Sequence, residues 1–225
     1  MFEIEVKLTT VSSCLIGNQT ESFSVGGTDQ STTIDENGRP IIHGSSFKGA
    51  LRNIIRENEV ELPETQKYIE CILTKLLEKY KEISQEGKIE KLVRKIENYK
   101  KEPKAHYIFG IEGINNMPRI YCSDFRVRQD EEKDNNDYFR YETKNTLREE
   151  HNTLTSLPRT YRVVKPKVNF EGILRFRDVY FNECNVDFVK IKKEIQNQIL
   201  KFNDGFYGIG NSKSRGYGQV KVIVK

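Results

Sequence analysis

Gly44-Ser45-Ser46-Phe47-Lys48-Gly49-Ala50-Leu51-Arg52 is the stretch on which the reading of this chain turns. Ser45 or Ser46 can cap a helix, because a hydroxyl accepts from first-turn N–H groups that have no partner within the helix. The helix then buries Phe47, Leu51, Ile54 and Ile55 along one stripe. Upstream, Phe2, Ile4, Val6 and Leu8 alternate with Glu3, Glu5 and Lys7, the two-residue period of a half-buried strand. Residues 12–40 hold Gly17, Gly26, Gly27 and Gly38 among Ser, Thr, Asn and Asp, and read as a long loop. Downstream, Ile69, Ile72, Leu73, Leu76, Leu77, Tyr80 and Ile83 form a helical stripe. After Gly87 a shorter one follows with Ile89, Leu92, Val93 and Ile96. Lys and Glu interleave over both, as on a solvated helix surface, and 63–103 reads as a helical insertion.

Strand character returns over 119–128, with Ile120, Cys122, Phe125 and Val127. Residues 129–160 are polar, keep no steady period and read as an exposed excursion. A strand is predicted over 163–181, a helix over 187–202 with Ile191, Ile195, Ile199 and Phe202 on one face, and a closing strand over 217–224. Without its insertions the order is strand, helix, strand, strand, helix, strand. That is an α+β chain on the ferredoxin-like, RRM-like plan, a plan that hosts many functions and decides none.

The chain has 225 residues, enough for one domain with insertions and a sizeable core. Apolar residues at 36% exclude a disordered chain despite 31% charge. No apolar run is long enough to span a membrane. The early acids Glu3 and Glu5 replace the apolar core of a signal peptide, so the sequence predicts a cytoplasmic protein with no membrane partner. Cys14, Cys71, Cys122 and Cys184 are too scattered for a zinc ribbon or a vicinal redox pair, and read as four reduced thiols. Residues 151–225 carry 14 basic against 6 acidic side chains, the footprint expected of a phosphate-backbone binder.

Two segments could hold phosphate. In Gly205-Phe206-Tyr207-Gly208-Ile209-Gly210-Asn211-Ser212-Lys213-Ser214-Arg215-Gly216-Tyr217-Gly218, the Gly-x-Gly spacing follows a helix and runs into a strand. A dinucleotide fingerprint needs the reverse order. The segment instead offers backbone N–H groups at Gly210 beside Lys213 and Arg215, or simply a tight loop. The Gly44–Arg52 helix start offers N–H donors with Lys48 and Arg52 on one face, or an ordinary serine cap.

These two segments, in this order, resemble the paired signatures of the RAMP superfamily, the repeat-associated RNA-binding proteins of CRISPR systems. Val25-Gly26-Gly27-Thr28-Asp29 and Asn37-Gly38-Arg39-Pro40-Ile41-Ile42 resemble the backbone subunit of type III effector complexes. The resemblance implies a single RAMP domain over 1–225: a palm of 1–62, 104–128 and 168–225, the 63–103 insertion, and a protruding thumb hairpin within 129–167. It implies binding of CRISPR guide RNA and target RNA, contact with other effector subunits, and stacking of several copies into a filament. Ser45, Ser46, Lys48, Arg52, Gly210, Lys213 and Arg215 match the RNA-binding motifs. Arg148, Arg159, Arg162, Lys165 and Lys167 are the thumb cations suited to a sugar-phosphate backbone.

The resemblance also places target-RNA cleavage on Asp29, with Asp35 and Glu36 as second choices. A carboxylate is a poor general base at neutral pH. Asp29 is therefore expected to hold Mg²⁺ or another divalent cation, taken up with the RNA, or to orient the 2′-OH. Some relatives carry a His where this chain has Leu15-Ile16-Gly17. The alternatives are a non-catalytic RAMP subunit of the same complex and a metal-independent guide-processing ribonuclease using Tyr161, Tyr207 or Tyr217.

Overall fold

The computed structural model describes residues 2–17, 30–83, 87–128, 135–150, 153–180 and 183–225. In chain order the elements are β1 (Phe2–Thr10), β2 (Gln30–Ser31), β3 (Ile41–Ile42), α1 (Gly44–Glu57), α2 (Pro63–Ile83), α3 (Gly87–Lys101), β4 (Arg119–Cys122), β5 (Phe125–Val127), β6 (Phe139–Glu150), β7 (Thr153–Val164), β8 (Asn169–Arg177), α4 (Phe188–Leu200) and β9 (Val220–Val224). The mixture is α+β, as the sequence predicts. No helix among the described residues is long and apolar enough to cross a membrane.

Contacts divide the chain into two compact units. The first comprises Met1–Ile4, Leu51–Tyr121 and Leu174–Ile199. Here α2 and α3 pack together, and Ile69, Ile72, Leu73, Leu76 and Ile96 are fully buried. Their spacing is the predicted helical stripe, and burying it is what holds such charged helices in place. Glu194 accepts the Glu64 and Thr65 N–H groups, both at 2.9 Å, and so caps α2 from α4. Phe2 stacks on Phe176 at 4.7 Å, and Tyr68 meets Phe176 and Phe188 edge-on.

Cys71 and Cys184 form a disulfide, Cα atoms 5.9 Å apart, which corrects the reading of four reduced thiols. The partners are 113 residues apart in sequence, so their spacing carried no sign of the bond. Cys14 and Cys122 are free.

The second unit comprises Glu5–Ala50, Cys122–Ile173 and Leu200–Lys225. Its larger sheet runs β3-β5-β8-β1-β9. β1 pairs antiparallel with β9 from Val6↔Val224 to Thr10↔Val220, and β5 with β8 at Arg126↔Glu171. Phe47, fully buried, packs on Phe125 at 4.5 Å and Phe202 at 5.4 Å. Strand β9 is one edge of the sheet, and Asn203 occupies it. The side-chain amide donates to Val222 O (3.0 Å) and accepts from Val222 N–H (2.7 Å), imitating a neighbouring strand.

A second sheet, β2-β7-β6, contains the largest departure from the sequence reading. Residues read as an excursion without period form a hairpin of two 12-residue strands, in unbroken register from Phe139↔Val164 to Glu150↔Thr153. Alternation marks a strand only where one face is buried. Among this hairpin's described side chains only Val163 and Val164 are buried, and exposed or half-buried positions occupy both faces, so nothing alternates. The predicted strand over 163–181 is in fact the end of β7 and then β8. Between them, Thr10 Oγ1 donates to Lys165 O (2.8 Å) and accepts from Val168 N–H (2.9 Å), with Lys167 in the left-handed region at φ 66°.

Candidate nucleic-acid interface

The glycine segment folds back onto the loop that leaves β1. Asn211 N–H donates to Leu15 O (2.8 Å), Gly218 N–H to Ser13 O (2.9 Å) and Ile209 N–H to Gly218 O (2.9 Å). A Cβ on Gly210 would stand 2.3 Å from Leu15 O, and one on Gly218 2.1 Å from Ile209 O. These two glycines thus allow one main chain to approach another, where the sequence suggested approach of a phosphodiester. The N–H groups of Arg215 and Gly216 close a 3-10 turn onto Ser212 O and Lys213 O. What the segment offers a ligand is its side chains: Lys213 and Arg215 are both exposed.

Next to it lies the root of the β6–β7 hairpin. Tyr217, 8% exposed, packs with Leu15 and Val163, and Tyr161 covers the cluster. The Tyr217 hydroxyl donates to Glu142. The other Glu142 oxygen accepts from Ser13 Oγ (2.9 Å) and Arg140 Nε (2.7 Å). Lys144 Nζ sits 3.7 Å above the Tyr217 ring, a cation–π contact. Burial pushes the Glu142 carboxyl up, but the Tyr217, Ser13 and Arg140 donors outweigh it and hold the group below the usual carboxylate range. Burial, then Glu142, pushes the Tyr217 phenol up to about 12. One carboxylate therefore ties together the post-β1 loop, the hairpin and the glycine segment. The sequence reading missed Ser13 and Glu142. The available signal was a lone acid between Arg140 and Lys144, each two residues away and so on the same strand face.

Cross-strand register places Arg140, Glu142, Lys144 and Arg159 on one hairpin face, with Lys144 directly opposite Arg159. Arg148 stands opposite Thr155, and its side chain lies outside the described set. Arg162 is on the other face, beside the Phe139 ring at 5.2 Å and the exposed Tyr141. Lys165 and Lys167 belong to the turn after β7. Lys165 N–H donates to Tyr138 O, and the Lys167 side chain is exposed.

The start of α1 is partnered from within the chain. Gly44 N–H donates to Asp124 Oδ1 (2.8 Å), and Ser46 N–H to His43 O (2.9 Å). The helix cap is thus an aspartate 80 residues away, rather than Ser45 or Ser46. Lys48 is half-buried beside Cys122, and its charge opposes the burial that pushes that thiol up to about 12.

Asp29 lies outside the described residues. Of the second choices, Asp35 organises its own turn: its Oδ1 accepts from Asn37 N–H and Arg39 N–H, both at 2.9 Å. Glu36 pairs with Arg126 at 3.0 Å; its own backbone N–H and then Arg126 hold its carboxyl low. Both acids serve the fold. Among the described residues no three His, Cys, Asp or Glu side chains are grouped to hold a metal ion.

A family model, the RAMP superfamily, matches residues 7–221. A search of curated proteins finds no match. Among solved structures, a chain of the type III-B Cmr-beta complex bound to cognate target RNA, seen by cryo-EM, superposes with a TM-score of 0.56 at 16% identity. The match covers 99% of this chain and 59% of that one, so the present chain spans about six-tenths of its length. A chain of a type IV-B CRISPR complex superposes with a TM-score of 0.53 at 14% identity, covering 100% of this chain and 90% of that one. At these identities the likeness is one of fold.

Proposed function

The chain belongs to the RAMP superfamily, and we propose that it is a guide-RNA-binding subunit of a CRISPR effector complex, with a ferredoxin-like palm and a hairpin thumb. The palm reading is supported by the strand order β5-β8-β1-β9, with the first and third palm strands central and the second and fourth flanking them. Residues 63–103 are then an insertion and β6–β7 the thumb, all within one RAMP domain. The observation that carries the reading is the hairpin face bearing Arg140, Lys144 and Arg159, rooted through Glu142 on the glycine segment. Like charges facing each other across a ladder, as Lys144 and Arg159 do, cost stability unless a polyanion lies over them. Ser45, Ser46, Lys48, Arg52, Arg148, Arg159, Arg162, Lys165, Lys167, Lys213 and Arg215 remain the proposed contacts to guide and target strands, whereas Gly210, packed against Leu15 O, supports the loop that carries two of them. Neighbouring effector subunits and further copies of this chain are the proposed protein partners, in the cytoplasm.

Within that role we assign target-RNA cleavage to Asp29, by alignment of the 2′-OH with its adjacent phosphate. Any divalent ion would have to be held by Asp29 and RNA oxygens. A second reading, a non-catalytic subunit, is favoured by the structural commitments of Asp35 and Glu36 and by the buried Leu15 and Ile16 where some relatives carry a His. A ribonuclease using Tyr217 is disfavoured, because that phenol is a donor held by Glu142.

The test is isolation of the native particle and assay of Asp29→Ala in it. Repeat-plus-spacer RNA should co-elute, and the variant should bind target RNA without cutting it. Undiminished cutting would remove Asp29 from the mechanism; absence of any bound RNA would remove the whole reading.

A further inference from the structure

We infer that Arg56 and His106 join Arg52 in one phosphate site, taking a phosphodiester group of a single RNA strand. The inference rests on the RNA-binding reading above and adds a contact point within the first compact unit. Arg52 and Arg56 stand one turn apart on α1, on one face. Glu59 follows three residues later, in the 3-10 turn that continues the helix. Its carboxylate accepts from Ala105 N–H (2.6 Å), His106 N–H (3.4 Å) and His106 Nδ1.

A carboxylate can only accept, so the ring proton is on Nδ1 and Nε2 presents its lone pair. Among the described residues nothing hydrogen-bonds to Nε2. Neither guanidinium has a carboxylate partner among the described residues, although Arg94, Arg126, Arg140 and Arg175 each have one. Arg52 Nε is also buried without a hydrogen bond. A fold that buries part of an arginine and leaves it unpaired has kept a place for an acceptor.

The electrostatics agree. Burial holds His106 below the usual imidazole range; Glu59 pulls the other way, and Arg56 and Arg52 push it lower still. The groups facing the ring are these three and the Tyr107 ring at 4.6 Å, itself against Tyr99. A phosphodiester bridging the two guanidiniums reverses their influence. The imidazole then takes up a proton at Nε2 and donates it to a phosphate oxygen as a third hydrogen bond, with Glu59 balancing the new charge. Binding is therefore coupled to proton uptake and tightens as pH falls through the range in which the bound imidazole protonates.

The experiment uses the full chain with ring-labelled histidine, followed by NMR. It is titrated in separate arms with a short single-stranded RNA lacking terminal phosphates and with inorganic phosphate. The RNA should move the His106 titration to higher pH. Arg56→Gln, at an exposed position that leaves packing alone, should weaken RNA binding and make the log K against log salt slope shallower by about 0.7. The Arg52→Gln/Arg56→Gln pair should lose about twice that. If wild-type protein binds RNA but His106 does not respond and the slope survives in both variants, this inference is overturned and the wider reading stands. If inorganic phosphate moves His106 and RNA does not, the RNA assignment is overturned. If wild-type protein binds no RNA, both fall.

Discussion

Replacing Glu142 by Leu removes the one carboxylate shared by the post-β1 loop, the hairpin and the glycine segment. Tyr217 and Ser13 are 8% and 6% exposed, so neither hydroxyl regains water in place. Each stranded donor costs about 1–2 kcal/mol. Arg140 is half-exposed, and its ion pair adds at most a few tenths. The sum is about 3 kcal/mol, a large share of the stability of a typical domain. Urea unfolding at neutral pH should show that loss. Hydrogen exchange should place it at the hairpin root, with the Val163 and Val164 amides deprotected before those of β1. The pH dependence has a definite sign. Glu142 titrates lower in the folded chain than in the unfolded one. Its contribution is therefore complete above the unfolded glutamate value of about 4.3, and is lost as pH falls through the lower folded value. The gap between wild type and variant should close on acidification. A variant as stable as wild type at pH 7, or a gap that persists at low pH, would refute the account of this cluster.

Reducing Cys71–Cys184, or replacing either by Ser, should lower stability by up to about 4–5 kcal/mol, because the bond closes a loop of 113 residues in the unfolded chain; urea midpoints with and without reductant measure it. Asp124→Ala should cost about 1 kcal/mol by uncapping α1, read from thermal unfolding. Gly210→Ala should cost about 2 kcal/mol or more, since the position has φ 87° and no room for a Cβ, and urea unfolding again reads it.

What was legible follows from which forces leave a period. The α1 stripe of Phe47, Leu51, Ile54 and Ile55 is buried as its spacing says, and so is Ile191, Ile195, Ile199 and Phe202 around α4. The hairpin left no period because the described positions on both faces are largely exposed or half-buried, although its Thr and Val content suits strands. The glycine spacing marked a close approach, but the approaching group is Leu15 O, nearly 200 residues earlier in the chain. Likewise Asp124 on α1, Glu142 on Tyr217 and Cys71 on Cys184 are pairings of distant residues whose types alone do not select their partners. Motif spacing located the segments; tertiary contacts decided what each one does there.

Asn203 carries a consequence for assembly. An open β-edge invites any passing chain to extend the sheet through main-chain bonding, which recognises no sequence. Both main-chain groups of Val222, at the middle of β9, are already spoken for. Molecules meeting at this border must recognise each other by side-chain shape and charge, such as those of Lys221 and the exposed Ile223. Removing one amide would convert a selective border into a sticky one, and the first sign would be indiscriminate oligomers growing with concentration.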